Sequence, residues 1–212
     1  MTCCVTINPA TGKPADPSVL VNIPKLVTTY YELQPDPSDP RHRVVFDTFG
    51  HRGSAMDVAF NERHILAITQ TIRDYRKLQN IDSPLFLGMD THALSEPAFA
   101  SAMEGLAAND IDVMISEGTS YTPTPAVSQA ILRLNQARKS GLADGIVITP
   151  PHNTPDEEGF TYDPPHGGPT DSRVTSWIES KANAVLERNL DGVKHTLFAK
   201  ALSAPTTHKH DF

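Results

Sequence analysis

Cysteine is nearly absent from this chain of 212 residues, which limits the kinds of protein it can be. Its two cysteines are adjacent, at Cys3 and Cys4, where a disulfide between them would be strained and where no CxxC spacing offers a zinc site. A fold stapled by disulfides is therefore excluded. We interpret the pair as solvent-exposed thiols in a reducing compartment.

An excess of positive charge and long apolar runs are also missing. The 18 lysines and arginines are outnumbered by 25 aspartates and glutamates, which gives a net charge of −7, and the basic residues are dispersed. This pattern argues against a nucleic-acid partner. Apolar runs such as Gly145 to Ile148 are far too short to span a bilayer, and Met1 to Val5 lack the features of a secretory signal. We therefore predict a cytoplasmic protein with no membrane partner.

Proline, in contrast, is abundant, with 18 residues. Two proline-rich polar clusters, Asn8 to Pro14 and Gln34 to Pro40, flank one apolar-periodic stretch from Val19 to Leu33. Proline removes a backbone donor and ends helices, so such clusters are typical of extended chain. Residues 1–40 are predicted to form an N-terminal arm with one short helix.

After residue 40, short apolar runs alternate with helical patterns. Four runs have the length and composition of buried strands: Val44 to Phe46, Leu85 to Gly88, Asp112 to Ile115 and Gly145 to Ile148. Helices are predicted at four places: Asn61 to Leu78 with Asn61 as N-cap, Ser95 onward with Ser95 as N-cap, about Pro125 to Lys139, and about Asp171 to Arg188. This alternation predicts a largely parallel sheet covered by helices on both faces.

In such sheets the loops after the strands gather at one rim, where ligands bind. Four polar loops are predicted to share this rim: Asp47 to Ser54, Asp90 to His92, Glu117 to Thr119 and Thr149 to Gly159. Within the first, Gly50-His51-Arg52-Gly53 places an imidazole and a guanidinium between two glycines, which suits a phosphate or a carboxylate. Taken alone, the tetrapeptide is also compatible with a structural turn. The nine histidines show no ligand spacing such as HExxH, so no metal site is predicted.

Four longer stretches carry a family resemblance: Val44 to Ser54, Asp90 to Ala98, Tyr121 to Ser128 and Ala143 to Asn153. Together they resemble the α-D-phosphohexomutases, in particular bacterial phosphoglucomutase, and only the first domain of that family. The resemblance extends from about Thr11 to about His195. It implies a three-layer α/β/α sandwich with a mixed, mainly parallel sheet of about four strands in residues 41–195. Residues 196–212 are then predicted to be a polar C-terminal tail or a truncated interdomain linker.

The resemblance also implies a reaction. Members of the family interconvert glucose 1-phosphate and glucose 6-phosphate through a bisphosphorylated sugar, using a phosphoserine and Mg²⁺. On the matching positions of this chain, His51, Arg52, His152 and Asn153 are implied to surround the phosphoserine position and to bind phosphate. The family holds its Mg²⁺ with an Asp-rich loop that has no counterpart in these 212 residues, so no cofactor is predicted for this chain.

The chain departs from the family where that chemistry takes place. Pro151 occupies the phosphoserine position, and proline has no hydroxyl group that could accept a phosphoryl group. Thr161 stands at a lysine position and supplies neither its charge nor its proton chemistry. Four further exchanges lie near the predicted rim: Asp47 for glycine, Phe49 for serine, Met89 for lysine and Thr154 for proline. Because Asp47 and Met89 reduce its positive charge, they are expected to weaken anion binding there. No catalytic residue set is predicted to be intact.

Three functional hypotheses follow. In the first, the chain is a truncated, degenerate phosphoglucomutase without mutase activity by itself, so that its status as an enzyme stays open. In the second, it is a module that binds a sugar phosphate or another anion, or that pairs with itself or a partner chain through the surface that family domains bury against their neighbours. In the third, it is one half of a split mutase, although Pro151 argues against this.

Overall fold

The computed structural model describes residues 11–17, 20–47, 49–150 and 152–212. Within these residues, the α-helices are α1 (Ile23–Glu32), α2 (Glu62–Gln79), α3 (Ser95–Ala108), α4 (Thr124–Asn135), α5 (Ser172–Glu187) and α6 (Phe198–Leu202). The β-strands are β1 (Phe46–Asp47), β2 (Gly50–Ser54), β3 (Leu85–Met89), β4 (Val113–Ser116), β5 (Asp144–Ile148), β6 (Glu157–Asp163) and β7 (Thr207–His210). None of these helices is both long and apolar enough to cross a bilayer.

The strands form one sheet in the order β1-β2-β6-β5-β3-β4-β7. From β5 through β3 and β4 to β7 the pairings are parallel, whereas from β5 through β6 and β2 to β1 they are antiparallel. The sheet is therefore mixed, as predicted, but it has seven strands where about four were expected. The additional strands come from polar or glycine-containing sequence that does not look like a buried strand.

Helices cover both faces of the sheet, which confirms the three-layer α/β/α prediction. In β5, Ile146 and Ile148 face the core formed with α1, α2, α3 and α5, whereas Val147 faces α4 on the other side. This alternation follows from the two-residue side-chain period of a strand. Because both faces are buried, the central strands read as continuous apolar runs, which is why they were predictable.

Two glycines allow α4 to lie close to the sheet. A Cβ atom at Gly88 of β3 would come within 2.7 Å of Val127 Cγ2, and one at Gly145 of β5 would come within 2.9 Å of Ile131 Cδ1. Both distances are too short for real carbon atoms, so any larger residue would push α4 outward. Glycine in these strands is therefore a packing requirement.

The predicted helices are confirmed, with small corrections at their ends. Asn61 is the N-cap of α2, as predicted. Ser95 is the first residue of α3 and not its N-cap, which is Leu94, because the Ser95 hydroxyl donates to a carboxylate in β6 instead. Helix α4 ends at Asn135, earlier than predicted, since that side chain bonds the backbone of Ala143 in the loop before β5.

The strand predictions were wrong at three places. Val44 was expected to begin a strand, but its backbone N–H donates to Asn183 Oδ1 of α5 at 2.9 Å, so β1 starts only at Phe46. The tetrapeptide Gly50–Gly53 was expected to lie in a polar loop at the rim and forms most of β2. Strand β6 was taken for a loop, yet it lies between β5 and β2 in the sheet. Its buried Glu158 is accommodated there because the carboxylate accepts hydrogen bonds from Ser95 and from the Gly159 N–H.

The last seventeen residues also differ from the predicted polar tail or linker. They contain α6 and β7, and β7 pairs in parallel with β4 at the edge of the sheet. His208 Nε2 lies 2.8 Å from Asp112 Oδ1, and the ring of Phe212 contacts the ring of Phe86. Most of this stretch is therefore joined to the sheet; the division of the chain into domains stays a prediction.

Candidate functional site

Three of the four predicted rim loops meet at the ends of β3, β4 and β5. The Asp90 N–H donates to the Ile148 carbonyl at 3.0 Å, and the Thr149 hydroxyl donates to Asp90 Oδ2 at 2.8 Å, which joins the loops after β3 and β5. The Thr122 N–H donates to the Met89 carbonyl at 2.8 Å and so brings in the chain after β4. The carboxyl ends of parallel strands meet here, as the alternation predicted.

The fourth predicted rim loop, Asp47 to Ser54, contributes to the site through strand β2. Strand β2 runs in the same direction as β5, because each is antiparallel to β6 between them. From β2, Arg52 Nη1 donates to Asn153 Oδ1 at 3.4 Å, while its Nη2 donates to Asp47 Oδ2 at 3.1 Å. The Arg52 side chain is about one-third exposed, and its Cζ lies 5.5 Å from the centre of the Phe49 ring. The structure thus brings together two of the predicted phosphate-binding residues, Arg52 and Asn153.

His51, the third predicted phosphate-binding residue, lies on the opposite face of β2. It is buried, its Nδ1 lies 3.2 Å from the Val45 carbonyl, and its ring stacks on Phe60 with centroids 5.7 Å apart. Burial lowers the pKa of His51 to about 4, although the Val45 carbonyl partly offsets the effect. At neutral pH its ring is uncharged and packed in the core, so it supplies neither a contact nor a charge to the Arg52 side of the strand.

The fourth predicted residue, His152, is exposed in the loop between β5 and β6. Its neighbour Pro151, at the position of the expected phosphoserine, lies outside the residues that the structure describes. The loop around them is closed at its base by a hydrogen bond of 2.9 Å from the Thr149 N–H to the Gly159 carbonyl. A turn bond of 2.8 Å from the Asn153 N–H to the Pro150 carbonyl folds its tip.

Of the other residues that differ from the family pattern, two contact Arg52 and two have side chains engaged in the core or the sheet. Asp47 and Phe49 both contact Arg52, so they act on the guanidinium directly. Met89 does not act at the rim as expected: only 4% of it is exposed, and it lies in the core. The Thr161 hydroxyl donates to the Val147 carbonyl at 2.8 Å, so its proton is used in a hydrogen bond within the sheet. The guanidinium of Arg52 is thus paired with the adjacent Asp47 carboxylate.

Sequence reasoning missed a buried acidic residue beneath this loop. Glu158 has no exposed surface, and its carboxylate accepts hydrogen bonds from the Ser95 hydroxyl at 2.7 Å and from the Gly159 N–H at 2.9 Å. His92 Nδ1 lies 3.0 Å from the same carboxylate. Glu158 follows Asp156 and Glu157 in a run that reads as solvated loop. Only the pairing of β6 between two strands distinguishes it from these neighbours.

The family chemistry also calls for a divalent cation. Among the described residues, no group of three or more His, Cys, Asp or Glu side chains is arranged to hold a metal ion. Asp47 is already bound to Arg52, and Glu158 is buried and engaged. The donor set therefore does not fit Mg²⁺, which requires several oxygen ligands in octahedral geometry.

Comparison with known proteins bears directly on this arrangement. The sequence model of the family described as phosphoglucomutase/phosphomannomutase, alpha/beta/alpha domain I, matches residues 43–189. The chain belongs to this family. The match includes all the residues at the rim, from the β1–β2 hairpin to the loop after β5. It places this phosphohexomutase chain in the first-domain class that the resemblance suggested.

A curated relative and two solved structures are consistent with the match. The chain is 52% identical to the phosphoglucomutase of Komagataeibacter xylinus over 207 residues, covering 98% of this chain but only 37% of that protein. The parafusin (phosphoglucomutase) of Paramecium, in its open form, has a TM-score of 0.57 at 21% identity, covering 78% of this chain and 27% of that one. A phosphoglucomutase/phosphomannomutase family protein of Burkholderia thailandensis has a TM-score of 0.54 at 19% identity, covering 84% and 34%. The two structural likenesses concern the fold.

Replacing Asp47 with asparagine should strengthen anion binding at Arg52 in this phosphohexomutase domain. The variant keeps the Oδ1 acceptor for the Phe49 N–H but removes the charge that occupies the guanidinium. Because the pair is exposed, the expected gain in affinity is about two- to fivefold. Isothermal titration with glucose 1-phosphate or inorganic phosphate at low salt measures it. Asp74→Asn removes a comparable exposed partner from Arg73 and serves as control. Equal affinities in the Asp47 variant and the unmodified chain would contradict the prediction.

Proposed function

We propose that this chain is a phosphoglucomutase-type first domain that binds the phosphate group of a sugar phosphate at its rim and has no mutase activity by itself. The observation that carries the proposal is the contact of Arg52 with Asn153 in a loop whose phosphoryl-accepting position holds proline. The chain spans about 37% of the length of its curated relative, so the activity of a whole phosphoglucomutase comes to it only as part of this proposal.

The binding half of the proposal is supported by the chemistry of Arg52. A guanidinium presents paired N–H donors that match the oxygens of a phosphate group, and it keeps its charge at all physiological pH values. Arg52 is held on a strand, not on a loose loop, and its two contacts leave it partly exposed to ligand. An incoming phosphate would compete with Asp47 for the same donors. Binding is therefore expected to be weak, in the millimolar range.

The predicted absence of mutase activity is supported by the state of the hydroxyl groups near the loop. Proline cannot accept a phosphoryl group, and the hydroxyls of Thr149, just after β5, and Thr161, within β6, are engaged elsewhere. Thr149 donates to the Asp90 carboxylate, and Thr161 donates to a backbone carbonyl of β5. The covalent step of the family mechanism thus has no acceptor at its usual place.

A coupled assay of glucose 1-phosphate to glucose 6-phosphate conversion tests the absence of activity. The assay contains Mg²⁺ and a bisphosphorylated sugar as activator, and the expected result is no turnover above buffer. Turnover by the unmodified chain that is lost on changing His152 to alanine would overturn the proposal, because that outcome requires catalysis at this loop with Pro151 in place.

Restoring the hydroxyl should restore part of the chemistry. In Pro151→Ser, exposure to glucose 1,6-bisphosphate and Mg²⁺ is expected to add the mass of one phosphoryl group to a fraction of the chains, which intact-mass spectrometry detects. Adding Thr161→Lys should raise that fraction, since a cation beside the loop stabilises the transferred charge. Pro151→Ala, which cannot be phosphorylated there, is the matched control. Labelling of the alanine variant to the same extent would show that the loop is not the acceptor.

The same variants test the split-enzyme alternative. If the remaining domains of a phosphoglucomutase are supplied as a separate chain, a split enzyme would give turnover with the unmodified chain. The proposal expects turnover only with the Pro151→Ser, Thr161→Lys double variant.

Self-association is a second candidate function, and the edge of the sheet favours it. Strand β7 is an edge strand, with β4 on one side, and Leu197, the residue before α6, is 78% exposed. Unpaired strand edges and exposed apolar side chains are common sites of association. Sedimentation velocity over a range of concentrations tests this candidate. A dimer that is abolished by Leu197→Asp would support it, and a monomer at all concentrations would exclude it.

A further inference from the structure

We propose that His92 is a positioning residue that holds the loop between β5 and β6 through a charged link to Glu158 and a hydrogen bond to Pro155. His92 lies in the loop after β3 and belongs to none of the predicted phosphate-binding positions. The inference concerns the shape of the loop that carries Asn153. It rests on the proposed function only in treating that loop as the phosphate-binding one.

The two ring nitrogens of His92 both face acceptors. Nδ1 lies 3.0 Å from Glu158 Oε2, and Nε2 lies 2.8 Å from the Pro155 carbonyl oxygen. A neutral imidazole has only one N–H, so both acceptors can be satisfied only by the imidazolium. The Leu94 N–H also lies 3.2 Å from Nδ1, and a neutral ring could accept it. That arrangement would leave a lone pair of Nδ1 facing the carboxylate at a shorter distance, which is unfavourable.

The burial of Glu158 favours protonation of the His92 ring. Its carboxylate is fully buried, and its other partners, the Ser95 hydroxyl and the Gly159 N–H, are neutral. Leaving a buried charge without a counter-charge costs more free energy than two neutral hydrogen bonds return. The His92 ring, of which only about one-tenth is exposed, is the cation next to it. The folded loop therefore favours a protonated His92.

The link joins two separate parts of the rim. Within its own loop, the backbone N–H of His92 donates to Asp90 Oδ1 at 2.9 Å. The other oxygen of Asp90 accepts a hydrogen bond from the Thr149 hydroxyl. Pro155 is two residues beyond Asn153, in the middle of the loop that Thr149 and Gly159 close at its base. The bond to the Pro155 carbonyl is therefore a lateral attachment of the loop to the β3 side. Without it, the loop would keep its turn bonds, the bond at its base and the contact of Asn153 with Arg52, but would lose its attachment to the β3 side through Pro155.

The charges around His92 give the link a pH dependence. Burial lowers the pKa of His92, but the hydrogen bond and charge of Glu158, the Pro155 carbonyl and the charge of Asp90 outweigh it and raise the pKa above its usual value. Glu158 faces the ring from β6, and Asp90 faces it from the same loop. A folded-state pKa above the unfolded one means that the stabilisation is complete at low pH and is lost as the pH rises through the folded value.

Nitrogen-15 NMR of the His92 ring and hydrogen exchange of the loop amides test the proposal on the full chain without ligand. In the unmodified chain, ¹⁵N shifts of His92 should report both ring nitrogens protonated at pH 6.5. The amides of Asn153 and Glu157, which donate to carbonyls of the loop, should exchange about tenfold faster in His92→Gln, equivalent to the loss of one charge-assisted hydrogen bond, while those of β3 and β5 stay unchanged. His195→Gln, an exposed histidine away from the loop, is the control.

Glu158→Gln provides an independent measurement if His92→Gln does not fold. Its amide keeps an acceptor for Ser95 but removes the charge, so the His92 titration midpoint should fall by about one pH unit or more. A His92 ring that is neutral at pH 6.5 in the unmodified chain, or a midpoint unaffected by Glu158→Gln, would overturn the proposal. Neither the His92 titration nor the amide exchange needs phosphate. If both give the expected results and phosphate still does not bind, only the proposed function is contradicted.

Discussion

Replacing Arg76 with methionine is expected to lower the free energy of unfolding by about 3–5 kcal/mol. Arg76 of α2 is buried, its Nη1 donates to Asp144 Oδ1 at the start of β5, and its Nη2 donates to the Ser83 carbonyl. Asp144 is fully buried and also accepts from the Tyr162 hydroxyl at 2.7 Å. Methionine fills a similar volume but leaves the carboxylate without its cation, and uncompensated buried charge is among the most costly defects in a protein.

The loss should depend on pH in a way that identifies its cause. Burial raises the pKa of Asp144 to about 6 even with Arg76 beside it, because Arg76 and Tyr162 offset only part of the cost of burying the charge. Without Arg76 the pKa rises further, so the carboxyl group is neutral in a mildly acidic buffer. The destabilisation measured by urea unfolding is therefore expected to be largest at pH 8 and smaller at pH 5.

Arg73→Met is the matched control on the same helix. Arg73 lies three residues earlier, is partly exposed and pairs with its neighbour Asp74 at 2.7 Å. Exposed pairs contribute little, so its replacement should change the free energy of unfolding by less than about 1 kcal/mol. Equal losses in the two variants would mean that burial of the Arg76–Asp144 pair is not what stabilises the join between α2 and β5.

Replacing Asp163 with asparagine is expected to stabilise the protein at high pH. Asp163 ends β6 at the edge of the sheet opposite the rim, is 7% exposed, and has an Oδ2 atom without a hydrogen-bond partner among the described residues. Burial raises its pKa from 3.8 to about 7, although a hydrogen bond to Ser128 acts in the other direction. Above pH 7 the folded protein must therefore hold a buried ionised carboxylate, and asparagine avoids this.

The sign follows from the two pKa values. Because the pKa of Asp163 is higher in the folded state, the folded protein binds the proton more tightly, and stability is lost as the pH rises from about 4 to about 7. The free energy of unfolding of Asp163→Asn minus that of the unmodified chain should rise over this range by at most about 4 kcal/mol, three pKa units at about 1.4 kcal/mol each. Urea unfolding at pH 4, 6 and 8 measures it, with the exposed Asp191→Asn as control. A difference that does not change with pH would contradict it.

Two buried histidines conceal this effect in the unmodified chain. Burial lowers the pKa of His51 to about 4 and that of His64 to about 3. Since their folded-state pKa values lie below the unfolded value of 6.5, they remove stability as the pH falls, whereas Asp144 and Asp163 remove it as the pH rises. Between pH 4 and 6.5 the contributions oppose each other. Only a difference between variant and unmodified chain therefore isolates Asp163.

The elements that the sequence predicted are those whose signals are local. Helices α2 and α5 are marked by a 3.6-residue apolar period with a polar residue before the first turn, and their caps, Asn61 and Asp171, lie where that pattern begins. Strands β3 and β5 are short apolar runs between polar loops, which is typical of strands buried on both faces. Each signal lies within about fifteen residues of chain and needs no information about distant partners.

The elements that the sequence did not reveal depend on partners far along the chain. Strand β2 contains two glycines and three charged or polar residues, and it is a strand because β6, more than a hundred residues later, pairs with it. Glu158 reads like Glu157 beside it until the alternation of β6 turns one side chain inward and the other outward. The same alternation separates His51 from Arg52, which the sequence had placed together at the rim.

By itself, the sequence determined the three-layer class of this phosphohexomutase domain, the positions of its main helices and the absence of a hydroxyl at residue 151. Periodicity, capping and side-chain chemistry are properties of neighbouring residues. Only the tertiary structure decided that Asp47 and Phe49 act on Arg52 while Met89 is buried in the core, and that His92 and Glu158 meet beneath the loop. These outcomes depend on strand register and side-chain direction, which are set by contacts between segments that the sequence does not place next to each other.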